Sequence, residues 1–257
     1  MNANLDTPLE IRDSHGRLCG VYHYQDPFKS FFRGLFTPSG KDVVAPPPPD
    51  HPHHHGLQFG LCASDVNFWE ESLSAEPSNR QIPIGRQQSG IPAMLPPADG
   101  IGFIQQVVWA RDTLVTFRET RIISVTAVPG AFVWTWRTTL TAERNVEIIK
   151  SVWSMEPGQI GYCGLGLRLA QDLFAGGKVY PPGTASGDTP ASVSFQGKGA
   201  AVTFQQNATQ ANALFLSFYG GNPDFAFMAL GPTNLQPRSL RKGESLQGTY
   251  IVTVADC

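Results

Sequence analysis

The sequence predicts an all-β protein, folded as one large antiparallel β-sandwich domain over residues 1–257. Alternating apolar and polar residues, the pattern of half-buried strands, recur along the chain, whereas helical periodicity is scarce. The 26 glycines and 21 prolines favour many turns and few long helices. Several alternating runs reach about ten residues, a length typical of large curved sheets rather than of a small barrel.

The clearest strand is AFVWTWRTTL, in which Phe132, Trp134 and Trp136 share one face. Other strand-like runs are TLVTFRETRIISV, VEIIKSVWSM, AVTFQ, ALFLSFY, FAFMAL and GTYIVTV. Turn signals separate them, namely VPGA, EPGQ, GGNPD and RKGES. Because Trp134, Trp136 and Trp153 lie on such runs, we expect all three in the core.

Two segments interrupt the strand pattern, and we expect each to be a long loop. The first covers about 64–100, with a short helix near Asn67–Leu73, and the second covers about 171–190. Long loops in compact domains often serve function. The first segment favours function because Phe68 and Trp69 stand next to carboxylates.

Composition argues against several classes of partner. The formal net charge is −2 and no run of lysine or arginine occurs, so we expect neither nucleic acid nor an anionic membrane surface as partner. The N-terminus lacks the pattern of a signal peptide and no long apolar run could span a bilayer, so we expect a cytoplasmic location. The four cysteines have no CxxC spacing and are expected to be free thiols.

The most unusual stretch is DHPHHHGLQFG, because it holds four of the six histidines. The prolines at 46–49 and Pro52 favour an extended path. On such a path His51, His53 and His55 would face one way and His54 the other. The glycine at 56 would permit an abrupt turn or a close backbone approach.

Clustered imidazoles suit two kinds of chemistry. Imidazole titrates near neutral pH, so His51, His53 and His54 are candidates for catalytic acid and base groups. Alternatively, His53 and His55 could bind a divalent transition metal with one carboxylate. Acid/base use is favoured because no second, separately spaced histidine pair exists; no cofactor is therefore expected. The carboxylates nearest by pattern are Asp65, Glu70, Glu71 and Glu147.

The stretch DHPHHHGLQFG…DVNFWEE resembles the signature of a bacterial family of uncharacterised proteins, often labelled methane-oxygenase-like. That signature is approximately Asp-His-Pro-His-His-Arg-Gly-Leu followed by Asn/Asp-Phe-Trp. The stretches FKSFFRGLFTPSGKDVV, GYCGLGLRLA and LRKGESLQGTYIVTVAD are also similar to the family, and the last resembles the ending of galactose-mutarotase-like sandwiches. The resemblance is specific around 50–69 and weak between 175 and 235. It implies a galactose-mutarotase-like supersandwich, in which sugars bind a concave sheet face and histidine and carboxylate groups transfer protons.

Carried over residue by residue, the resemblance marks one set of positions: His51, His53, His54, Asn67, Phe68, Trp69 and Arg168. Two positions depart from the family. His55 stands where the family has arginine, and Tyr162 stands where a glutamate is expected. These departures suggest a divergent member with its own chemistry. Methane-oxidising copper enzymes are membrane complexes, so the family label does not fit this sequence.

The sequence therefore predicts an intracellular enzyme that acts on a sugar, keto-sugar or glycoside by histidine acid/base chemistry, as an epimerase, lyase or hydrolase. Arg168 or Arg33 would hold an oxyanion, Trp69 would stack on a sugar ring, and Asn67 and His55 would complete the binding site. One alternative is a metal-dependent lyase or oxygenase using the histidine cluster. Another is a non-catalytic carbohydrate-binding protein. Exposed sheet edges would permit a homodimer.

Overall fold

The computed structural model describes residues 8–49, 51–71, 82–154, 156–207, 210, 212–218 and 226–257. Within them, the strands in chain order are β1 Leu9–Arg12, β2 Leu18–His23, β3 Phe31–Leu35, β4 Leu57–Gly60, β5 Cys62–Ala63, β6 Arg86–Ser89, β7 Ala93–Met94, β8 Ile101–Arg111, β9 Leu114–Val128, β10 Ala131–Ala142, β11 Val146–Ile149, β12 Gly164–Arg168, β13 Lys178–Tyr180, β14 Ser192–Gln196, β15 Ala200–Gln206, β16 Ala213–Phe218, β17 Ala226–Gly231, β18 Arg238–Leu240 and β19 Ser245–Asp256. The helical elements are a 3₁₀ helix, Pro97–Asp99, and one α-helical turn, α1 Gln171–Phe174.

Two large sheets form the sandwich predicted from the sequence. One has the strand order β1-β2-β3-β4-β12-β17-β16, and the other the order β13-β14-β15-β19-β10-β9-β8-β6, with β7 also beside β8. A small third sheet has the order β18-β11-β5. Adjacent strands in both large sheets run antiparallel. The all-β antiparallel fold is therefore confirmed.

The core lies between the two large sheets. On β10, Phe132, Trp134 and Trp136 are buried on one face, as their alternation predicts. The ring of Phe32 on β3 packs edge-on against Trp134, with centroids 4.9 Å apart, and lies 6.4 Å from Trp136. Burying such rings removes apolar surface from water, which is the main favourable term in folding.

One ion pair is buried within this core and is fully hydrogen-bonded. Arg121 on β9 donates to both carboxylate oxygens of Glu119, at 2.9 and 2.8 Å. It also donates to the hydroxyl of Tyr22 on β2 and to Gln87 on β6, each at 3.1 Å. Gln87 donates in turn to the backbone carbonyl of Phe59 on β4, at 2.7 Å. This network fixes the two sheets against each other beneath the histidine-rich segment.

The two predicted loops contain short elements. In the segment 64–100, β6, β7 and the 3₁₀ helix occupy described residues, and 72–81 lie outside the described residues. The predicted helix near Asn67–Leu73 is wrong over residues 67–71, which are not helical. The last two residues of that predicted helix lie outside the described residues. The predicted turn GGNPD also lies outside them. The segment 171–190 contains α1 and β13. The sequence pattern did not predict these short elements, because a strand of two to four residues shows too little periodicity to be recognised.

The register of the seven-stranded sheet separates its two faces. Phe59 on β4 packs toward the nine-stranded sheet, where it meets Trp109 at 5.9 Å. The neighbouring residues of each strand therefore point away from the core. We call this side the outer face; it comprises Phe31, Gln58, Gly166, Arg168 and Phe227, which the strand pairing brings side by side.

No helix in the described part of the chain is both long and apolar enough to cross a membrane. The cytoplasmic location stays a prediction.

Candidate functional site

The histidine-rich segment forms a turn on the outer face. His54 donates its backbone N–H to the carbonyl of His51 at 3.1 Å, which closes a four-residue turn with Pro52 at its second position. Proline is favoured there because its fixed φ suits the turn. The extended path and its alternation of side chains were therefore wrong predictions.

In this turn three imidazole rings lie together, and the fourth, that of His55, lies in a different group of side chains. The ring centroids of His51, His53 and His54 lie 4.5 to 5.9 Å apart. His54 is buried and stacks on Phe227 of β17, with centroids 4.3 Å apart and planes 5° from parallel. The three histidines predicted to be catalytic thus form one cluster, and their catalytic role stays a prediction.

Gly56 lets the chain leave this turn close to the sheet. Its φ is +121°, and a Cβ there would lie 2.2 Å from the carbonyl oxygen of Phe32. No side chain fits at that distance, so the predicted close backbone approach is confirmed.

His55 belongs to a second group of side chains. Its ring stacks on Phe31 at 4.2 Å, and its Nε2 lies 2.6 Å from Glu71 Oε1. The Nζ of Lys29 lies 3.1 Å from the same carboxylate oxygen and donates to the backbone carbonyl of Trp69. Sequence reasoning missed Lys29, although a lysine inside the apolar run PFKSFF was a usable signal.

This second group changes the metal prediction. Among the described residues, ligand atoms close enough to share an ion come from Asp26, His55 and Glu71, all within 4.8 Å of one another. His53 is not part of that group, and metal binding by His53 and His55 stays a prediction. The ammonium of Lys29 already lies at Glu71 and is a cation supplied by the chain itself.

Asn67 shapes the loop that follows β5. Its Oδ1 accepts the backbone N–H groups of Trp69 at 2.9 Å and Glu70 at 3.1 Å. A side-chain oxygen that caps its own loop in this way fixes the backbone. Because both the oxygen and the N–H of its side-chain amide are bound within this loop, we assign Asn67 a positioning role, in place of the direct substrate contact predicted from the sequence.

Trp69 has a structural role and packs beside the histidine cluster. It is fully buried, so a sugar ring could not stack on it as predicted. Its ring lies 5.9 Å from Phe227 and 6.2 Å from His54. A Cβ on Gly166 would lie 2.8 Å from the Trp69 ring and 2.7 Å from the Phe227 ring. These two rings therefore fill the space above Gly166.

Glu70 stands at the centre of the polar contacts. Its Oε1 accepts the indole N–H of Trp153 at 2.5 Å and the hydroxyl of Tyr162 at 3.2 Å. Its Oε2 accepts an N–H of Asn67 at 3.2 Å. Trp153 was expected in the core but is 42% exposed, because β11 ends at Ile149. Sequence reasoning named Glu70 only as one candidate carboxylate.

The adjacent carboxyl groups have opposite pKa shifts. Burial raises the pKa of Glu70, although hydrogen bonds from Trp153 and Tyr162 act against that rise. Burial also acts to raise the pKa of Glu71, but the hydrogen bond from His55 and the charge of Lys29 hold it below its usual value. Neighbouring carboxyls with divergent pKa values are typical of acid/base sites.

Two histidines are held neutral. Burial, with the nearby charge of Lys29, lowers the pKa of His53 to about 2. Burial, with the neighbouring His53, His51 and Arg168, lowers the pKa of His54 as well. At neutral pH both rings are uncharged, so each can donate one hydrogen bond and accept one.

The two predicted arginines lie in different surroundings. Arg168 is buried on the outer face, and its charge contributes to the low pKa of His54, which places it at the cluster. Arg33 on β3 is exposed. A substrate contact for either arginine stays a prediction.

The chain belongs to a family of unknown function, DUF6807, whose family model matches residues 13–257. No curated protein matches the sequence significantly. A proposed aldose 1-epimerase from Escherichia coli K12 has a similar structure, with a TM-score of 0.53 at 10% identity over 98% of this chain and 99% of that one. The α-galactosidase of Lactobacillus brevis gives a TM-score of 0.49 at 8% identity, and this chain, aligned over 99% of its own length, spans 40% of that enzyme. The first likeness shows the fold, which is that of galactose-mutarotase-like sandwiches.

Proposed function

We propose that this member of the DUF6807 family is an enzyme that transfers protons on a sugar, keto-sugar or glycoside, as an epimerase or lyase. The observation that carries the proposal is the position of Glu70. This carboxyl group has a raised pKa and lies between the exposed Trp153, the partly exposed Tyr162 and the buried loop of Asn67. A carboxyl group whose pKa is moved toward neutral pH suits a general acid or base.

In the proposed reaction, Glu70 removes a proton from a carbon next to a carbonyl group, which leaves an enolate. In epimerisation, water delivers a proton to the opposite face of that carbon, and Glu70 loses its proton to solvent. In elimination, the enolate expels the oxygen substituent of the adjacent carbon, which takes the proton from Glu70 and leaves as water or an alcohol. The negative charge that develops on the carbonyl oxygen would be stabilised by Arg168, since a guanidinium keeps its charge when buried. Tyr162 and Trp153 keep the carboxyl group oriented by their hydrogen bonds.

The histidines receive a different role from the one predicted. A ring whose pKa is about 2, such as His53, is a weak base at neutral pH. We assign the partly exposed His51 and His53 to the binding of sugar hydroxyl groups, which the neutral ring of His53 can serve as both donor and acceptor. The buried His54, stacked on Phe227, supports them. We assign the role of general acid and base to Glu70 instead.

The test is deuterium exchange. Protein is incubated in D2O with a panel of keto-sugars and reducing disaccharides, each of which can present a carbonyl group, and loss of the proton signal next to the carbonyl is followed by NMR. We expect exchange with wild type and with Glu147→Gln, which alters an exposed glutamate on β11, and a loss of about 10²-fold or more with Glu70→Gln. The rate should rise with pH through a pKa above the ordinary glutamate value of about 4.3.

Two results would contradict the proposal. Exchange that persists in Glu70→Gln would remove Glu70 from the chemistry. Sugar binding without exchange on any panel member would favour the non-catalytic carbohydrate-binding protein.

The metal-dependent alternative has one supporting observation, the grouping of Asp26, His55 and Glu71. A divalent cation at that place would have to displace the ammonium of Lys29, which lies 3.1 Å from Glu71 and is buried. We therefore favour chemistry without a metal.

A further inference from the structure

Trp153 differs from every other tryptophan of the chain. The chain has five tryptophans, and Trp69, Trp109, Trp134 and Trp136 are each at most 1% exposed. Trp153 is 42% exposed. A large aromatic ring left in water forgoes the stabilisation of burial, so its fixed exposure calls for a reason.

Polar contacts hold the ring and its loop in place. Its indole N–H donates to Glu70 at 2.5 Å. The loop that carries it is anchored by Lys150, a buried lysine whose Nζ donates to the backbone carbonyls of Glu156 at 3.1 Å and Gln159 at 2.8 Å. An exposed ring that is anchored at its N–H and along its loop is a preorganised surface.

Two further rings extend this surface. Tyr162 donates its hydroxyl to the same oxygen of Glu70, so its ring lies near Trp153. Phe215 on β16 meets Tyr162 edge-on, with centroids 5.6 Å apart. Both are partly exposed. We call Trp153, Tyr162 and Phe215 the aromatic row; it begins at the carboxyl group proposed to move the proton.

We propose that the aromatic row is a subsite for a second, neutral pyranose ring, so that the substrate is a disaccharide or longer glycan rather than a free monosaccharide. This inference rests on the proposed function. Aromatic faces pack well against the apolar C–H face of a pyranose, and a hydroxyl at the edge of that ring could reach Glu70. The row carries no charge and adjoins a carboxyl group, which disfavours acidic sugars.

Acrylamide quenching of tryptophan fluorescence gives a direct test, because Trp153 is the one tryptophan that a quencher in water reaches. The probes are maltose, cellobiose, lactose and raffinose, with glucose, galactose and phenyl glucoside for comparison. We expect at least one of the di- or trisaccharides to lower the quenching constant about twofold, and the monosaccharides to leave it unchanged. Protection by none of the oligosaccharides, or by phenyl glucoside alone, would overturn the proposal.

Variants then locate the contact by calorimetric titration of the protecting sugar. Trp153→Ala should weaken binding at least tenfold, and Trp153→Phe, which keeps a ring, should weaken it less. Met94→Ala, which alters an exposed apolar side chain on β7, should bind as wild type does. Equal affinity of Trp153→Ala and Met94→Ala would overturn the subsite. Emission of the four buried tryptophans checks that each variant is folded.

The two proposals can fail separately. A sugar that shields Trp153 in wild type and in Glu70→Gln, with no deuterium exchange in either, would leave the subsite standing and refute the proton transfer. Deuterium exchange that depends on Glu70, with Trp153 quenched equally in the presence and absence of every oligosaccharide probe, would support the proton transfer and refute the subsite.

Discussion

The buried pair of Lys29 and Glu71 offers a stringent test of how the site is held together. The two side chains are 1% and 10% exposed, and Nζ lies 3.1 Å from Oε1. Lys29 also donates to the backbone carbonyl of Trp69, the residue before Glu70. Removing one partner of a buried pair leaves an uncompensated charge, at a typical cost of about 3–5 kcal/mol. We expect that loss in the free energy of unfolding for Lys29→Met and for Glu71→Gln.

A double-mutant cycle separates this pair from its surroundings. Because the second substitution removes the charge that the first left unpaired, Lys29→Met/Glu71→Gln should lose at least about 2 kcal/mol less than the sum of the single losses. Glu10→Gln is the matched control, since the pair of Glu10 and Arg12 is about half exposed and such pairs contribute about 0–1 kcal/mol. Urea unfolding at pH 7, followed by tryptophan fluorescence, gives the free energies of unfolding of wild type and of the four variants. Additive losses, or a Lys29→Met loss no larger than that of Glu10→Gln, would refute the reasoning.

Three further predictions concern the histidine turn. The pKa of His53 is about 2 in the folded protein and about 6.5 in the unfolded chain, so between these values only the unfolded chain takes up the proton. Through this group, the free energy of unfolding of wild type should fall by up to about 1.4 kcal/mol for each pH unit below 6.5. Urea unfolding between pH 7 and pH 5 should therefore show a smaller loss for His53→Gln than for wild type. Parallel curves of stability against pH would contradict this. Gly56→Ala should lower Tm more than Gly16→Ala, because both have positive φ but only the Cβ at 56 meets a backbone oxygen, at 2.2 Å; equal shifts would count against the close approach. Tag-free protein purified without chelators should carry well under one equivalent of transition metal by mass spectrometry, and one equivalent that is lost in His55→Ala would restore the metal-dependent alternative.

The long strands were predictable because their information is local. In AFVWTWRTTL, each second residue meets the core, so periodicity alone identified β10 and its buried face. The run VEIIKSVWSM shows the limit of that reasoning. Its pattern continues to Trp153, yet the strand ends at Ile149, and Trp153 takes a position set by Glu70, which lies 83 residues earlier in the sequence.

The candidate site was predicted in part. The histidine cluster and Arg168, both named from the sequence, lie together on the outer face, whereas Asn67 and Trp69 are buried and support the site. The lysine in the apolar run PFKSFF signals an unusual position, but it carries no sign of its partner, so the sequence alone assigned Lys29 no role. Glu71, which makes that lysine significant, is brought to it only by folding.

The sequence by itself determined the all-β class, the long strands with their buried faces, and the histidine segment as the place to look for chemistry. Each of these follows from residues that are neighbours in the chain, where period and turn chemistry operate. The tertiary structure decided which histidines cluster, which carboxyl group has a raised pKa, and which tryptophan is exposed. These properties depend on burial and on charges from distant segments, since desolvation and nearby charge arise only when the sheets pack and bring Lys29, Glu70 and Trp153 to the outer face.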